Sequence, residues 1–161
     1  MNTIQEYIDV IDNNYGEFIQ LASSVSPELM DWKPSAEAWS VREVLAHIHE
    51  AIPYWMNEFE NIVTKKEEKW GRNHLHEGRL QAVADANKRS AAEILEAIKQ
   101  DRQDTIDIFK RYKDEDLKIV AESRNPRWGE KPMSFMLDHL VVEHLDTHTK
   151  QIQRNISQYS S

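Results

Sequence analysis

Apolar residues recur at intervals of three and four in four stretches of the chain, and strict apolar/polar alternation of strand length is hard to find, which predicts helices throughout. The first stretch uses Ile4, Ile8, Ile11, Tyr15, Phe18 and Leu21. The second uses Val41, Val44, Leu45, Ile48, Ile52, Trp55, Phe59 and Ile62. It opens on Ser40-Val41-Arg42-Glu43, a spacing in which serine and glutamate satisfy each other's free amides at a helix start. The third runs from about Leu80 to Tyr112 through Val83, Ala91, Ile94, Ile98, Ile108 and Phe109. Asn87, Asp101 and Thr105 interrupt its stripe; in a helix this long such polar positions more often mark a stretch extending beyond its neighbours than the wall of a cavity. The fourth runs from about Pro132 to Ile156 through Phe135, Leu137, Leu140, Val141, Leu145 and Ile152, with Gly129 and Pro132 punctuating its start.

The connections, roughly 22–39, 63–78 and 113–131, are longer than the few residues that join antiparallel neighbours. At least one is long enough to run the length of a bundle and leave consecutive helices parallel, so the chain reads as all-α, a four-helix bundle with a crossover. Its 161 residues suit one domain, 1–161, around one core, without internal repeats or Gly/Ser linkers. Twenty Lys and Arg against 28 Asp and Glu give a net charge of −8 and leave no basic stripe, which argues against a nucleic-acid partner. The N-terminus lacks the cationic start and apolar run of a signal peptide, and no stretch approaches the roughly 20 apolar residues of a membrane span. A soluble, cytoplasmic protein is the expectation. Without cysteine, any metal must be held by nitrogen and oxygen.

His144 and His148 supply that possibility: four residues apart on a helix, their side chains leave one face separated by about 40° and about 6 Å. His47 lies about seven residues inside the second helix and His148 about eight inside the end of the fourth, so in antiparallel neighbours they share a level. Such histidine pairs also arise by chance, and Leu145-Asp146-Thr147 between them lacks the glutamate of the metalloprotease pattern. Glu43, Glu50 and Tyr54 share the face of His47, and Gln151 shares that of His144 and His148; Glu43, Tyr54 and Gln151 are the candidates for touching substrate or supporting the ligands. His49 and His139 project elsewhere, as surface or supporting groups, and His74 and His76 fall in a polar connection where histidines are usually solvated. Pro53 removes a donor inside the second helix and predicts a kink. Of the tryptophans, Trp70 and Trp128 are the candidates to line a pocket.

The run from Trp39 to His47, WSVREVLAH, resembles the W-S-x-x-E-x-L-x-H signature of the DinB/YfiT-like superfamily, and HLDTHTKQI from His144 resembles its H-x-x-x-H-x-x-Q-I element. The resemblance implies an up-down-down-up bundle, often homodimeric, that binds a divalent metal (Zn, Ni, Fe, Co or Mn) through His47, His144 and His148. It further implies an enzyme that activates a low-molecular-weight thiol, or water, against a small electrophile, since a three-histidine site leaves coordination positions open. The alternative is a non-catalytic, stress-associated bundle that keeps the metal for structure or ligand sequestration; there a fourth protein ligand, a Glu or Asp, closes the shell. Thr149-Lys150 stands where family members usually carry Arg-Gly. No general base is identified from the sequence.

Overall fold

The computed structural model describes residues 1–72 and 77–160. His74 and His76 lie outside the described residues. Among the described residues seven α-helical segments and three short strands succeed one another: α1 (Ile4–Ser23), α2 (Pro27–Met30), α3 (Val41–Val63), β1 (Lys69–Trp70), α4 (Glu77–Ala84), α5 (Ala91–Phe109), β2 (Val120–Ser123), β3 (Glu130–Pro132), α6 (Met133–Leu137) and α7 (Glu143–Tyr159). A π-turn, Asp138–Val142, joins α6 to α7 without a break, so the fourth long helix runs from Met133 to Tyr159.

The starts of the long helices are written in the sequence. Thr3 caps α1 by accepting from the Glu6 amide at 3.1 Å. Ser40 and Glu43 form the expected reciprocal box on α3, at 3.2 and 3.0 Å. The third pattern does not form one helix. Ser90 accepts from the Glu93 amide at 3.1 Å and starts α5 afresh, after α4 and a 3-10 turn at Ala86–Lys88. The Ser-Ala-Ala-Glu spacing at 90–93 is the signal that the continuous apolar stripe concealed. Asp101 and Thr105 do not extend beyond their neighbours: both are buried, and Asp101 accepts from His49 Nδ1 at 2.6 Å across the α3–α5 contact. Helix α3 passes through Pro53 as one continuous element.

Side-chain contacts fix the direction of each helix. Arg42 near the start of α3 donates to the Arg89 carbonyl just before α5, and Glu60 near the end of α3 accepts from Arg111 and Tyr112 just beyond α5. These two helices are therefore parallel. The Ile4 amide at the start of α1 meets Asp114 beyond the end of α5, and Asp12 meets Arg102, so α1 and α5 are antiparallel. Tyr7 reaches Asp138 at 2.5 Å and Asn14 reaches the Val142 carbonyl, which makes α1 parallel to the fourth helix. Asn155 near the end of α7 donates to the Trp39 carbonyl before α3. The order is up-down-down-up, and one apolar core, including Tyr7, Phe59 and Phe109, lies between the four helices. Tyr7 stacks on Phe109 with ring centroids 5.5 Å apart.

The long connections between the helices of the bundle carry structure of their own. They meet in a small sheet in which β2 pairs in parallel with β1 and antiparallel with β3. Only Ala121 and Ser123 of β2 face inward, too short an alternation to stand out in the sequence. Buried Glu58 of α3 ties this sheet to the bundle by accepting from the Gly71 amide at 2.7 Å, Arg124 at 3.0 Å and Tyr54 at 3.1 Å. Gly71 has φ +94, and a Cβ there would lie 3.3 Å from Trp55, so glycine is required. Trp70 is buried in the core, with Nε1 donating to the Ala121 carbonyl.

The capping box on α3 makes a measurable contribution to stability. Ser40→Ala removes an acceptor from the α3 amides and is expected to lower unfolding free energy by about 1 kcal/mol in urea titrations. Glu43→Gln, which keeps an amide oxygen to accept, is expected to cost less than half of that.

Candidate metal centre

The antiparallel contact of α3 with α7 brings His47, His144 and His148 together: one ring nitrogen from each lies within 4.8 Å of the others. Ring centroids are 4.7 to 4.9 Å apart, and Nε2 of His47 lies 2.8 Å from Nε2 of His144. His47 is 2% exposed, whereas His144 and His148 are partly exposed. Trp39 closes one side, 5.0 Å from the His47 ring and stacked on His148 at 6.1 Å. Sequence reasoning placed Trp39 in a motif but gave it no part in the site; its position one residue before the α3 cap is what carries it there.

Two of the tautomers are set by hydrogen-bond partners. A carbonyl oxygen only accepts, so the 3.2 Å contact of His144 Nδ1 with the Leu140 carbonyl puts a proton on Nδ1 and leaves Nε2 with its lone pair. Gln151 Oε1, 2.7 Å from His148 Nδ1, does the same for that ring. His47 has no partner at Nδ1 among the described residues. The cluster thus holds two lone pairs fixed by outside acceptors, with only the His47 proton to share between them. Burial, reinforced by the other two histidines and by Arg79 and Arg72, holds His47 down at about 2. Burial, with His148 and the same arginines against the Leu140 hydrogen bond, holds His144 at about 3. Burial also lowers His148, opposed by its bond to Gln151. All three rings are neutral near pH 7, with more lone pairs than protons at a common point, and this donor set fits a divalent cation. No Asp or Glu joins the three among the described residues.

The remaining sequence candidates divide between the site and its surroundings. Gln151 touches His148 directly. Glu43 is committed to the α3 cap, with Lys33 3.7 Å away, and lines a separate surface recess. Tyr54 bonds Glu58 and lies under the Arg72 guanidinium, 3.8 Å from the ring centre. Its hydroxyl is pushed above its ordinary range by burial and by Glu58. Glu50 is held by both terminal nitrogens of Arg72. His139 bonds Glu143 at 2.7 Å and packs on Phe135 and Trp128. Thr149 is buried, donating to the Leu145 carbonyl, and exposed Lys150 pairs with Asp146, so the departure from Arg-Gly is absorbed within α7.

A cavity of about 220 Å³ opens onto His47 and His144. Trp128, as expected, and Trp55, in place of Trp70, supply its aromatic wall together with Leu140. Arg72, Arg79, Arg127 and Asn125 supply the polar wall, and none of these was foreseen from the sequence.

The model of the DinB superfamily matches residues 11–152. The chain belongs to that superfamily. Among solved structures it is similar to YfiT from Bacillus subtilis, described as "a probable metal-dependent hydrolase with an unusual four-helix bundle topology", at 13% identity and TM-score 0.74 over 96% of this chain and 87% of YfiT. It is similar to the colibactin self-resistance protein ClbS, solved in complex with dsDNA, at 11% identity and TM-score 0.72 over 96% and 95% of the two chains. It also resembles the mycothiol-dependent maleylpyruvate isomerase, at 14% identity and TM-score 0.64 over 95% of this chain, which spans 59% of that longer protein. At these identities the likeness establishes the fold. No curated protein sequence matches the chain. Among the described residues no helix is long and apolar enough to cross a membrane.

The depressed histidines set a pH dependence whose sign is fixed. Unfolding restores His47 to its ordinary value near 6.5, so between that pH and about 2 the unfolded chain binds a proton that the folded chain refuses. Stability from this residue is full above about pH 6.5 and falls as pH falls. In metal-free protein, wild-type unfolding free energy is expected to drop more steeply than that of His47→Gln between about pH 6 and about pH 4, by up to about 1.4 kcal/mol per pH unit. Denaturant midpoints across that range check it; equal slopes would mean that His47 is not buried neutral.

Proposed function

We propose that the chain is a metal-dependent enzyme in which His47, His144 and His148 hold a divalent cation and a small electrophile is attacked by a low-molecular-weight thiol or by water. The observation that carries this reading is the three-imidazole group that, among the described residues, has no carboxylate to complete it and that borders a cavity. A structural site closes its shell with a fourth protein ligand; three ligands beside a cavity leave room for a reactant. When bound, the cation would lower the pKa of a coordinated thiol or water and stabilise the anion formed.

The chain's own residues supply the rest. Leu140 and Gln151 fix the tautomers of His144 and His148, so that their lone pairs need no rearrangement on binding. Trp39 packs against two of the three rings and limits water on that side. Trp55, Trp128 and Leu140 give an apolar wall against which a small substrate is oriented. Among the described residues the cavity lining contains no Asp or Glu, and activation of the nucleophile is assigned to charge stabilisation by the cation. YfiT is described as "a probable metal-dependent hydrolase" and the isomerase as mycothiol-dependent, and attack by water or by a thiol is compatible with a site of this kind. Of the two, we favour the thiol. Zn, Ni, Fe, Co and Mn all accept imidazole nitrogen, and supply in the cell selects among them.

Elemental analysis of protein purified without a polyhistidine tag tests the site. About one divalent metal per chain is expected in the wild type and none in His144→Ala/His148→Ala. A wild type that stays empty through zinc titration refutes the reading. A second measurement addresses the residues behind the ligands: Gln151→Leu leaves three imidazoles but frees the His148 tautomer, and is expected to weaken zinc binding about 10- to 100-fold in chelator competition.

A further inference from the structure

The chain carries a net charge of −8, yet among the described residues the charged side chains lining the cavity beside the histidines are three arginines, Arg72, Arg79 and Arg127. Arg72 has its charge matched by Glu50 and its side chain is only 5% exposed, so it is a fixed wall. Arg79, over the Trp39 ring at 5.6 Å, and Arg127, over the Trp128 ring at 5.2 Å, both line the cavity. Asn125 adds to the same character. Its Oδ1 accepts from the Arg127 amide at 3.1 Å, so the group it can still offer is its Nδ2 hydrogens. Among the described residues the polar wall away from the imidazoles therefore presents donors, most of them cationic.

We infer that the substrate entering this cavity carries an oxyanion, a carboxylate or similar group, which Arg79, Arg127 and Asn125 hold while the reacting atom faces His47 and His144. This rests on the reading of the cavity as the pocket of a metal-dependent enzyme. An arginine fork matches a planar oxyanion with two parallel hydrogen bonds, which a neutral ligand of equal size cannot return. The volume of about 220 Å³ is below the 300 Å³ or more of clefts that enclose drug-sized ligands, so a small acid or one acidic end of a larger molecule enters. Two of the arginines also contribute to holding the histidines neutral: Arg79 acts on all three, and Arg72 on His47 and His144. A cation seated there adds to the positive field that the oxyanion meets.

Three small probes separate the inference from the reading beneath it: propionate, its neutral isostere propionamide, and 3-mercaptopropionate. Binding is followed by tryptophan fluorescence, since Trp55 and Trp128 line the cavity, or by calorimetry, with the full chain in metal-free and zinc-loaded forms. Propionate is expected to bind the zinc-loaded wild type at least tenfold more tightly than propionamide, and Arg79→Gln/Arg127→Gln to bring the two within about twofold. Arg79→Lys/Arg127→Lys is expected to retain part of the preference. Should the double glutamine variant fail to fold, as read by circular dichroism, Arg127→Gln alone, at an exposed position, is expected to lower the preference by at least threefold. Equal binding of propionate and propionamide, or a preference unchanged by the arginine variants, overturns the inference. If propionate binding depends on the arginines but zinc gives 3-mercaptopropionate no advantage over propionate, the inference stands and the thiol reading fails. If zinc favours the mercapto compound while propionate and propionamide bind alike, the thiol reading stands and the inference is overturned.

Discussion

Three neutral imidazoles brought to one point, with two of their outer protons held by fixed acceptors, are the constraint to which the surrounding structure answers. Lone pairs buried at such a point are tolerable only if the rings stay uncharged, and the same burial that depresses their pKa values keeps them so. To assemble them, α3 and α7 must run antiparallel at one level. The chain achieves this by leaving α3 and α5 parallel and returning along the bundle between them. That crossover requires an anchor, and Glu58 with the small three-stranded sheet supplies it.

The connections also furnish much of the cavity. Arg72 comes just after β1, Arg79 lies on α4, and Asn125, Arg127 and Trp128 come from the turn between β2 and β3. The helices hold the imidazoles while the connections hold the groups opposite them. A rigid bundle with its variable chemistry on the connections is the usual division between scaffold and specificity. It is consistent with structural relatives of low identity that share the bundle and are described in very different terms.

Much of the bundle was legible in the sequence because its signals are local: stripes at three-and-four spacing, the Ser40–Glu43 box, and two histidines four residues apart. The level shared by His47 and His148 could be read too, since rise per residue converts position into height. The features that escaped depend on contacts distant in sequence. Asp101 reads as a polar interruption until His49 of α3 is placed beside it. Trp70 reads as a loop residue until its hydrogen bond to Ala121 is placed, and Trp55, on the apolar stripe of α3, both packs in the core and reaches the cavity. The arginines of the cavity lie in segments with no periodicity, where a sequence gives charge but not direction. The break at Ser90 was missed for a different reason: the cap was present, but a continuous apolar stripe outweighed it.

The π-turn at Asp138–Val142 governs the phasing of the fourth helix. A π-turn accommodates an additional residue within a helical run, and each residue of an α-helix turns the chain beyond it by about 100°. Upstream of it, Met133, Met136 and Leu137 are keyed to the core, and at its first residue Asp138 is keyed to Tyr7; downstream, His144 and His148 are keyed to His47. The turn lets these two registrations be set separately, so one end of the rod answers to packing and the other to chemistry. It acts as a rotational clutch: an uninterrupted α-helix holding the upstream face in place would swing the paired imidazoles away from their partner on α3.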